Sequence, residues 1–516
     1  MTTLIQFFVK HRHYARLAIR IAAYYVALFL IFSAVWIHHN FGNPSLEQIL
    51  YHLQFGMEGL VDTDESIKRS FIKTCLGWPL VIALALALVE VLLGQYLVYR
   101  LKTYPTHTAL WHKITEKMAK AVYWLIYHRA PLYTLVGAFI YFGANFSLLT
   151  YMHQKFGRDY FAEHYLNPKK VQITAQAPKN LVLIYVESLE NTYQDEALFG
   201  KNLLKSIDKI GGISFNSYRQ APGTGWTIAG ITATHCGLPL KSVTIYDGND
   251  QGSNIKAFLP KAVCLGDVLH AHGYHNVYMG GDALSFSGKG KFFQDHHYDE
   301  VYGREELKGF LSKNQMNYWG LYDDDLLVKV KAKLVSLHAK KQPFNLTFTT
   351  IDTHGPSVHY SNLCKKNGAK DFPAVVECTS NQVTDFMNFI KKNGYLKDTN
   401  VVIIGDHLAM YNPVWDKLQQ VPERHIYNQF ISLKKVTKTR DDVLHFDMFP
   451  TILEFIGFHV EGGKLGLGYT AITPNTPQPE PNALKDMEED LLNESETYID
   501  LWKRDLPEEN VPNHGA

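Results

Sequence analysis

The chain is poor in cysteine and almost without net charge. Five cysteines in 516 residues are too few to hold a fold of this size together by cross-links. No two of them stand at the short spacing of a zinc knuckle. The 51 lysines and arginines nearly cancel the 50 aspartates and glutamates, leaving +1, so no basic field marks the chain for nucleic acid. Length excludes one ordinary domain. What is present is unevenly spread, because the long apolar runs are confined to the first third.

Those runs cover residues 17–37, 76–99 and 131–152. Each is long enough to cross a hydrocarbon core of about 30 Å, and Tyr and Trp gather near their ends as interfacial anchors do. Arg20 in the first can snorkel to the interface; the second contains Glu90, and the third has no charge. The first run is too long for a removable signal peptide and lacks its small-residue cleavage site. Lys10, Arg12 and Arg16 precede it, and Arg100, Lys102, Lys113, Lys117, Lys120 and Arg129 follow the second run. The loop between the first two is acidic, with Glu47, Glu58, Asp62, Asp64 and Glu65. The positive-inside rule then expects a cytoplasmic N-terminus, three crossings, and everything after Met152 outside. For a bacterium this means a multi-pass inner-membrane protein with a periplasmic globular part. Residues 1–152 form the transmembrane region, 153–179 a polar connector, 180–505 the outer domain and 506–516 a tail. Cys236, Cys264, Cys364 and Cys378 all fall outside, where disulfides form. Four cysteines allow three connectivities; local pairing, Cys236–Cys264 and Cys364–Cys378, is the simplest, and a metal site is the rival reading.

Past Pro178, apolar strand candidates at 181–186, 275–279, 344–351, 401–404 and 429–433 alternate with helical segments such as 326–337 and 382–392. That order predicts an α/β domain, a mostly parallel sheet sandwiched by helices. Ligands of such sheets bind beyond the carboxyl ends of the strands. Glu187 follows the first strand, Asp352 and His354 the third, Asp406 and His407 the fourth. Carboxylates with imidazole form a hard O/N ligand set suited to Mn²⁺, Zn²⁺ or Mg²⁺. A turn rich in glycine, Pro222-Gly223-Thr224-Gly225, leads to Thr227 at the start of a helix, where free N–H groups can hold a phosphate. The run Asp323–Asp325 suits a helix N-terminus, and the acidic stretch 480–505 reads as a solvated helix face. His235, His296, His297 and His445 read as structural.

The stretches ESLENTY, PGTGWTIAGITATHCGLPL, NYWGLYDDDLL, TIDTHGP, GDHLAM and LGLG near Gly468 together resemble the alkaline phosphatase/sulfatase superfamily. The resemblance lies in the branch of lipoteichoic acid synthase and the periplasmic phosphoglycerol transferases, and spans about residues 180–504. It implies one divalent metal, Mn²⁺ first with Zn²⁺ or Mg²⁺ as alternatives, on Glu187, Thr227, Asp406 and His407. It makes Thr227 the nucleophile, with Thr224 as the alternative under another gap placement, and His354 a catalytic, substrate-side group. Asp282 and Lys289 become substrate contacts, although Ser287 stands where the synthase has Trp and Lys289 where it has Arg. The implied activity takes phosphoglycerol from phosphatidylglycerol in the membrane to a glycan or glycolipid acceptor. Phosphoethanolamine transfer is the alternative. A sulfatase, whose C-x-P-S-R motif is absent, and an inactive regulatory homologue fit less well.

Overall fold

The structure, a computed structural model, describes residues 12–41, 65–103, 129–146, 156–241, 257–309, 315–474 and 481–503, with a few single residues between them. Two compact units emerge, one of residues 1–46 and 65–152, the other of 47–64 and 153–516.

In the first unit, Tyr14–Phe41 (28 residues, mean hydropathy 2.0) and Lys68–Leu93 (26 residues, 2.4) are helices long and apolar enough to cross a membrane. The second begins as Glu65–Phe71, passes through a wider π-helical turn at Ile72–Gly77 and continues as Trp78–Thr103. The expected third crossing at 131–152 is helical over Ala130–Asn145; residues 147–153 lie outside the described residues. Arg20 of the first long helix and Glu90 of the second are paired with each other. Arg20 Nε and Nη2 donate to Glu90 Oε2 at 2.9 and 2.7 Å, and the Tyr24 hydroxyl donates to Oε1. Pairing removes the large cost of presenting either ion alone to hydrocarbon. Leu80, Val81, Leu84, Leu88 and Leu92 are exposed on the second helix, as a lipid-facing side requires.

The second unit is built on six strands: β1 (Asn180–Val186), β2 (His275–Gly280), β3 (Glu300–Tyr302), β4 (Phe344–Thr349), β5 (Thr399–Gly405) and β6 (Asn428–Ile431). Their order across the sheet is β3-β2-β4-β1-β5-β6; all neighbours are parallel except β5 and β6. The five anticipated strands are present. The sixth, β3, is an edge strand of three residues, too short to carry a periodic signal. Leu181, Leu183, Tyr185, Val402 and Ile404 enter one apolar core, while Val182, Ile184, Val186, Val401 and Ile403 enter another. The alternation of side chains along β1 and β5 thus packs a helical layer on each face.

Two segments are more integrated than the sequence suggests. The stretch 153–179, expected to be a connector, buries Tyr160 and Phe161 in the domain core, and Ile173–Ala175 pairs antiparallel with Phe458–Val460. The acidic stretch near the end carries an apolar stripe, Met487, Leu491, Tyr498 and Leu501, that is buried, so only its outer side is a solvated face. Lys241 fastens it, its Nζ donating to the carbonyls of Leu491 (3.0 Å) and Asn493 (2.8 Å) above the Tyr498 ring. Cys236–Cys264 and Cys364–Cys378 are disulfides, 28 and 14 residues apart in sequence, and Cys75 is free and buried.

Candidate active site

Val186 pairs in register with Gly405 on neighbouring parallel strands. The next residues, Glu187 and Asp406, therefore emerge side by side at the carboxyl edge of the sheet, and His407 follows. One ligand atom from each of the three lies within 4.8 Å of the others, and all three are buried. Asp406 Oδ1 accepts from the backbone N–H groups of Ser188 (2.8 Å) and His407 (3.0 Å). Glu187 Oε1 accepts from the Ser188 hydroxyl at 2.7 Å. His407 Nε2 stands 3.5 Å from both Glu187 Oε1 and Asp406 Oδ2. Asp406 Oδ2 is buried with no hydrogen-bond partner among the described residues. Burial, and then the neighbouring Glu187 charge, push the Asp406 carboxyl up to about 7; for His407 the two carboxylates outweigh burial and raise its pKa. Two adjacent buried carboxylates with an orphaned oxygen are a poor arrangement on their own and a good one around a cation. The donor set fits a divalent metal.

Thr227 opens the helix Thr227–Cys236, and the Trp226 side chain before it makes no capping hydrogen bond; the first N–H groups of a helix have no intrahelical acceptor. Thr227 Oγ1 lies 3.3 Å from Glu187 Oε2. The helix approaches this closely because Gly230 has no side chain, and a Cβ there would meet the Asp406 carbonyl oxygen at 2.0 Å. Thr224 is differently placed. Its buried hydroxyl donates to the Ala221 carbonyl at 2.6 Å and lies 3.1 Å from His445 Nδ1. His445 Nε2 in turn reaches the Asp406 carbonyl at 2.9 Å. Thr224 and His445 thus form a brace behind the cluster.

His354 sits in the loop after β4. Its ring packs against Trp319 at 4.1 Å, and Nδ1 is bonded to the Gly355 carbonyl oxygen. Burial, with His407 adding to it, lowers its pKa to about 4, so the imidazole is neutral. Asp282 and Lys289, expected to contact substrate, are buried and paired with each other. The Asp323–Asp325 run does more than suit a helix start. Asp323 Oδ1 accepts from the Ile351 N–H at 2.7 Å and Asp352 Oδ2 from the Asp323 N–H at 3.1 Å, while Asp324 Oδ2 accepts from Leu363 N–H at 2.9 Å. These bonds tie the helix Asp323–Ala339 to the His354 loop, an arrangement made by chain segments far apart in sequence. Glu190, within the stretch ESLENTY, has no role assigned to it by sequence. Its buried carboxylate accepts from Arg424 and from the Ala409 N–H (2.9 Å), locking the loop beyond His407 to the end of β1.

Residues 179–458, more than half of the chain, match the family model described as sulfatase. The chain is a member of the sulfatase family. Where sulfatases place a modified cysteine as nucleophile, this member has no C-x-P-S-R motif and sets a threonine beside the acidic cluster. This sulfatase-family chain is 34% identical over 358 residues to phosphoglycerol transferase I of Shigella flexneri, covering 67% of this chain and 44% of that protein. It is 33% identical over 366 residues to phosphoglycerol transferase I of Escherichia coli (strain K12), with the same coverage of 67% and 44%. The chain therefore spans less than half the length of these curated relatives. Among solved structures it is similar to the lipoteichoic acid synthase LtaP of Listeria monocytogenes, with TM-score 0.47 and 14% identity over 64% of this chain and 97% of that one. It is also similar to an alkaline phosphatase superfamily protein of Vibrio parahaemolyticus, with TM-score 0.42 and 23% identity over 56% and 69%.

Proposed function

We propose that this chain transfers the phosphoglycerol headgroup of phosphatidylglycerol, through a phosphothreonine at Thr227, to a glycan or glycolipid acceptor outside the bacterial inner membrane. The observation that carries the reading is that Thr227 Oγ1 stands 3.3 Å from Glu187 Oε2 at the edge of the buried cluster of Glu187, Asp406 and His407, whose Asp406 Oδ2 has no hydrogen-bond partner among the described residues. Names borne by the relatives supply the substrate class.

Glu187, Thr227, Asp406 and His407 would hold one divalent cation, Mn²⁺ by preference. When bound, that ion supplies the charge that stabilises a threonine alkoxide at neutral pH. Thr227 Oγ1 then attacks phosphorus in line with the bond to the diacylglycerol oxygen, which breaks as the new ester forms. The N–H groups at the helix start face the non-bridging oxygens. Lys289 adds a buried cation to the site, sharing its charge with Asp282. His354, neutral in the free protein, is ready to take the proton of an acceptor hydroxyl as that oxygen displaces Thr227. To protonate the leaving diacylglycerol oxygen first, it has to gain a proton with the anionic phosphodiester beside it, a charge that raises its pKa. The two membrane-spanning helices tether the domain to the bilayer containing the donor, raising its effective concentration.

The test is the intact mass of purified protein after incubation with Mn²⁺ and either phosphatidylglycerol or phosphatidylethanolamine. A phosphoglycerol adduct from the first lipid, absent in Thr227→Ala, supports the reading. An adduct formed from phosphatidylethanolamine alone refutes the headgroup assignment in favour of phosphoethanolamine transfer.

A further inference from the structure

Among the described residues of the globular unit, two Phe, Tyr or Trp side chains are exposed, Phe156 (87%) and Tyr318 (49%). Phe156 lies near the start of the unit; Tyr318 lies beside the site. It belongs to the turn Asn317–Gly320, whose next residue, Trp319, is buried with its ring on His354. One turn thus sends a tryptophan inward onto the candidate proton carrier and a tyrosine outward at the rim.

The turn is held on several sides. Asn317 Oδ1 accepts from the N–H groups of Trp319 and Gly320, both at 2.8 Å, and the Asn317 N–H donates to the Gly320 carbonyl at 2.8 Å. Asn317 Nδ2 donates to Asp352 Oδ1 at 3.1 Å, fastening the turn to the His354 loop. Leu321 N–H donates to the Gly281 carbonyl at 3.0 Å. Gly320 lets the two backbones meet, since a Cβ there would lie 1.9 Å from the Gly281 oxygen. The Tyr318 ring meets the buried His359 ring edge-on, 6.2 Å between centroids. A half-exposed tyrosine is thereby fixed in position without being covered.

An exposed, pre-positioned aromatic face beside a group that accepts a hydroxyl proton suits one class of ligand. The ring of a sugar whose substituents are equatorial shows a flat face of C–H bonds, and the π-face of tyrosine is its electrostatic complement. Fixing the ring beforehand lowers the ordering cost of binding. We propose that Tyr318 is the platform on which a pyranose ring of the acceptor stacks, placing a neighbouring hydroxyl toward His354. This rests on the phosphoglycerol-transfer reading for the role of the sugar and adds to it an acceptor subsite. Trp319 is a positioning residue in the same device.

The experiment uses the full chain in detergent micelles and a soluble β-linked gluco-oligosaccharide, whose rings present such C–H faces. Binding is read by saturation-transfer NMR titration in wild type, Tyr318→Ala and Tyr318→Phe, with thermal unfolding of each variant. Affinity falls about tenfold in Tyr318→Ala and stays within about threefold in Tyr318→Phe, with unfolding temperatures unchanged. Equal binding by Tyr318→Ala, or no saturation transfer with wild type, overturns the proposal. Adduct formation from phosphatidylglycerol is followed in parallel and proceeds equally in wild type and Tyr318→Ala. A slower adduct in Tyr318→Ala alone contradicts an acceptor-only role. A wild type that binds the sugar yet forms no adduct refutes phosphoglycerol transfer and leaves the sugar platform standing.

Discussion

Replacing Gly230 with alanine puts a methyl group where the nucleophile helix touches the Asp406 loop. An ideal Cβ there sits 2.0 Å from the Asp406 carbonyl oxygen and 3.6 Å from His445 Nε2. Real Cβ contacts essentially never fall under 3.0 Å, so helix and loop must separate by at least about 1 Å. Both partners are backbone, and no flexible side-chain end can yield instead. Alanine favours the helix by about 1 kcal/mol over glycine, while overpacking costs about 1–3 kcal/mol. The net loss of stability is then at most about 2 kcal/mol. The chemical effect is larger, because a displacement of about 1 Å between Thr227 and the acidic cluster costs on the order of 100-fold in rate. The assay is the rate of adduct formation from phosphatidylglycerol with saturating Mn²⁺, beside a thermal melt. Gly230→Ala is expected to fold, to melt only a little lower, and to react about 100 times more slowly. A variant that reacts at the wild-type rate would show that the separation between helix and Asp406 does not matter, and the geometric argument would fall.

Metal removal gives a second test. Burial and the Glu187 charge raise the Asp406 carboxyl from 3.8 to about 7 in the metal-free fold, so its contribution to stability is present below about pH 4 and is lost as pH rises through 7. Chelator-treated protein should therefore melt progressively lower between about pH 4 and 7, and Asp406→Asn should flatten that slope. Removing Cys236–Cys264 by a double alanine substitution opens a loop of 28 residues and should cost about 3.5 kcal/mol by loop entropy, read by denaturant unfolding of the globular unit. In the membrane unit, Glu90→Ala strands Arg20 and should lower the detergent melting temperature, by the roughly 3–5 kcal/mol of a broken buried pair. Arg20→Leu combined with Glu90→Leu should recover much of that loss.

Strand-end chemistry was readable from sequence because it is local. A buried strand is a short apolar run, and the residue after it is one position away, so Glu187, Asp406 and His407 stand where that rule puts them. Register supplied the rest: equal strand lengths on β1 and β5 bring Glu187 beside Asp406. The choice between two threonines was not local. Thr224 and Thr227 differ by three residues, and only the fold turns one hydroxyl into the Ala221–His445 brace and the other toward Glu187. The Asp323–Asp352 link, the Glu190–Arg424 lock and Trp319 on His354 join segments 29, 234 and 35 residues apart, and no periodicity or spacing encodes such pairs. The role of Gly230 depends on the Asp406 backbone it approaches, 176 residues away in sequence, and is equally non-local. The tail misled through its charges: its acids are conspicuous in the sequence, yet Met487, Leu491, Tyr498 and Leu501 among its apolar residues are buried.

Thr227, beside Glu187 at the start of its helix, is the residue expected to be esterified in the phosphoryl intermediate. Peptide mapping by tandem mass spectrometry of the protein trapped with phosphatidylglycerol and Mn²⁺ tests it most directly. A phosphoglycerol group is expected on Thr227, dependent on added metal and absent when Glu187 is replaced by Gln. A modified Thr224 with Thr227 bare would contradict it.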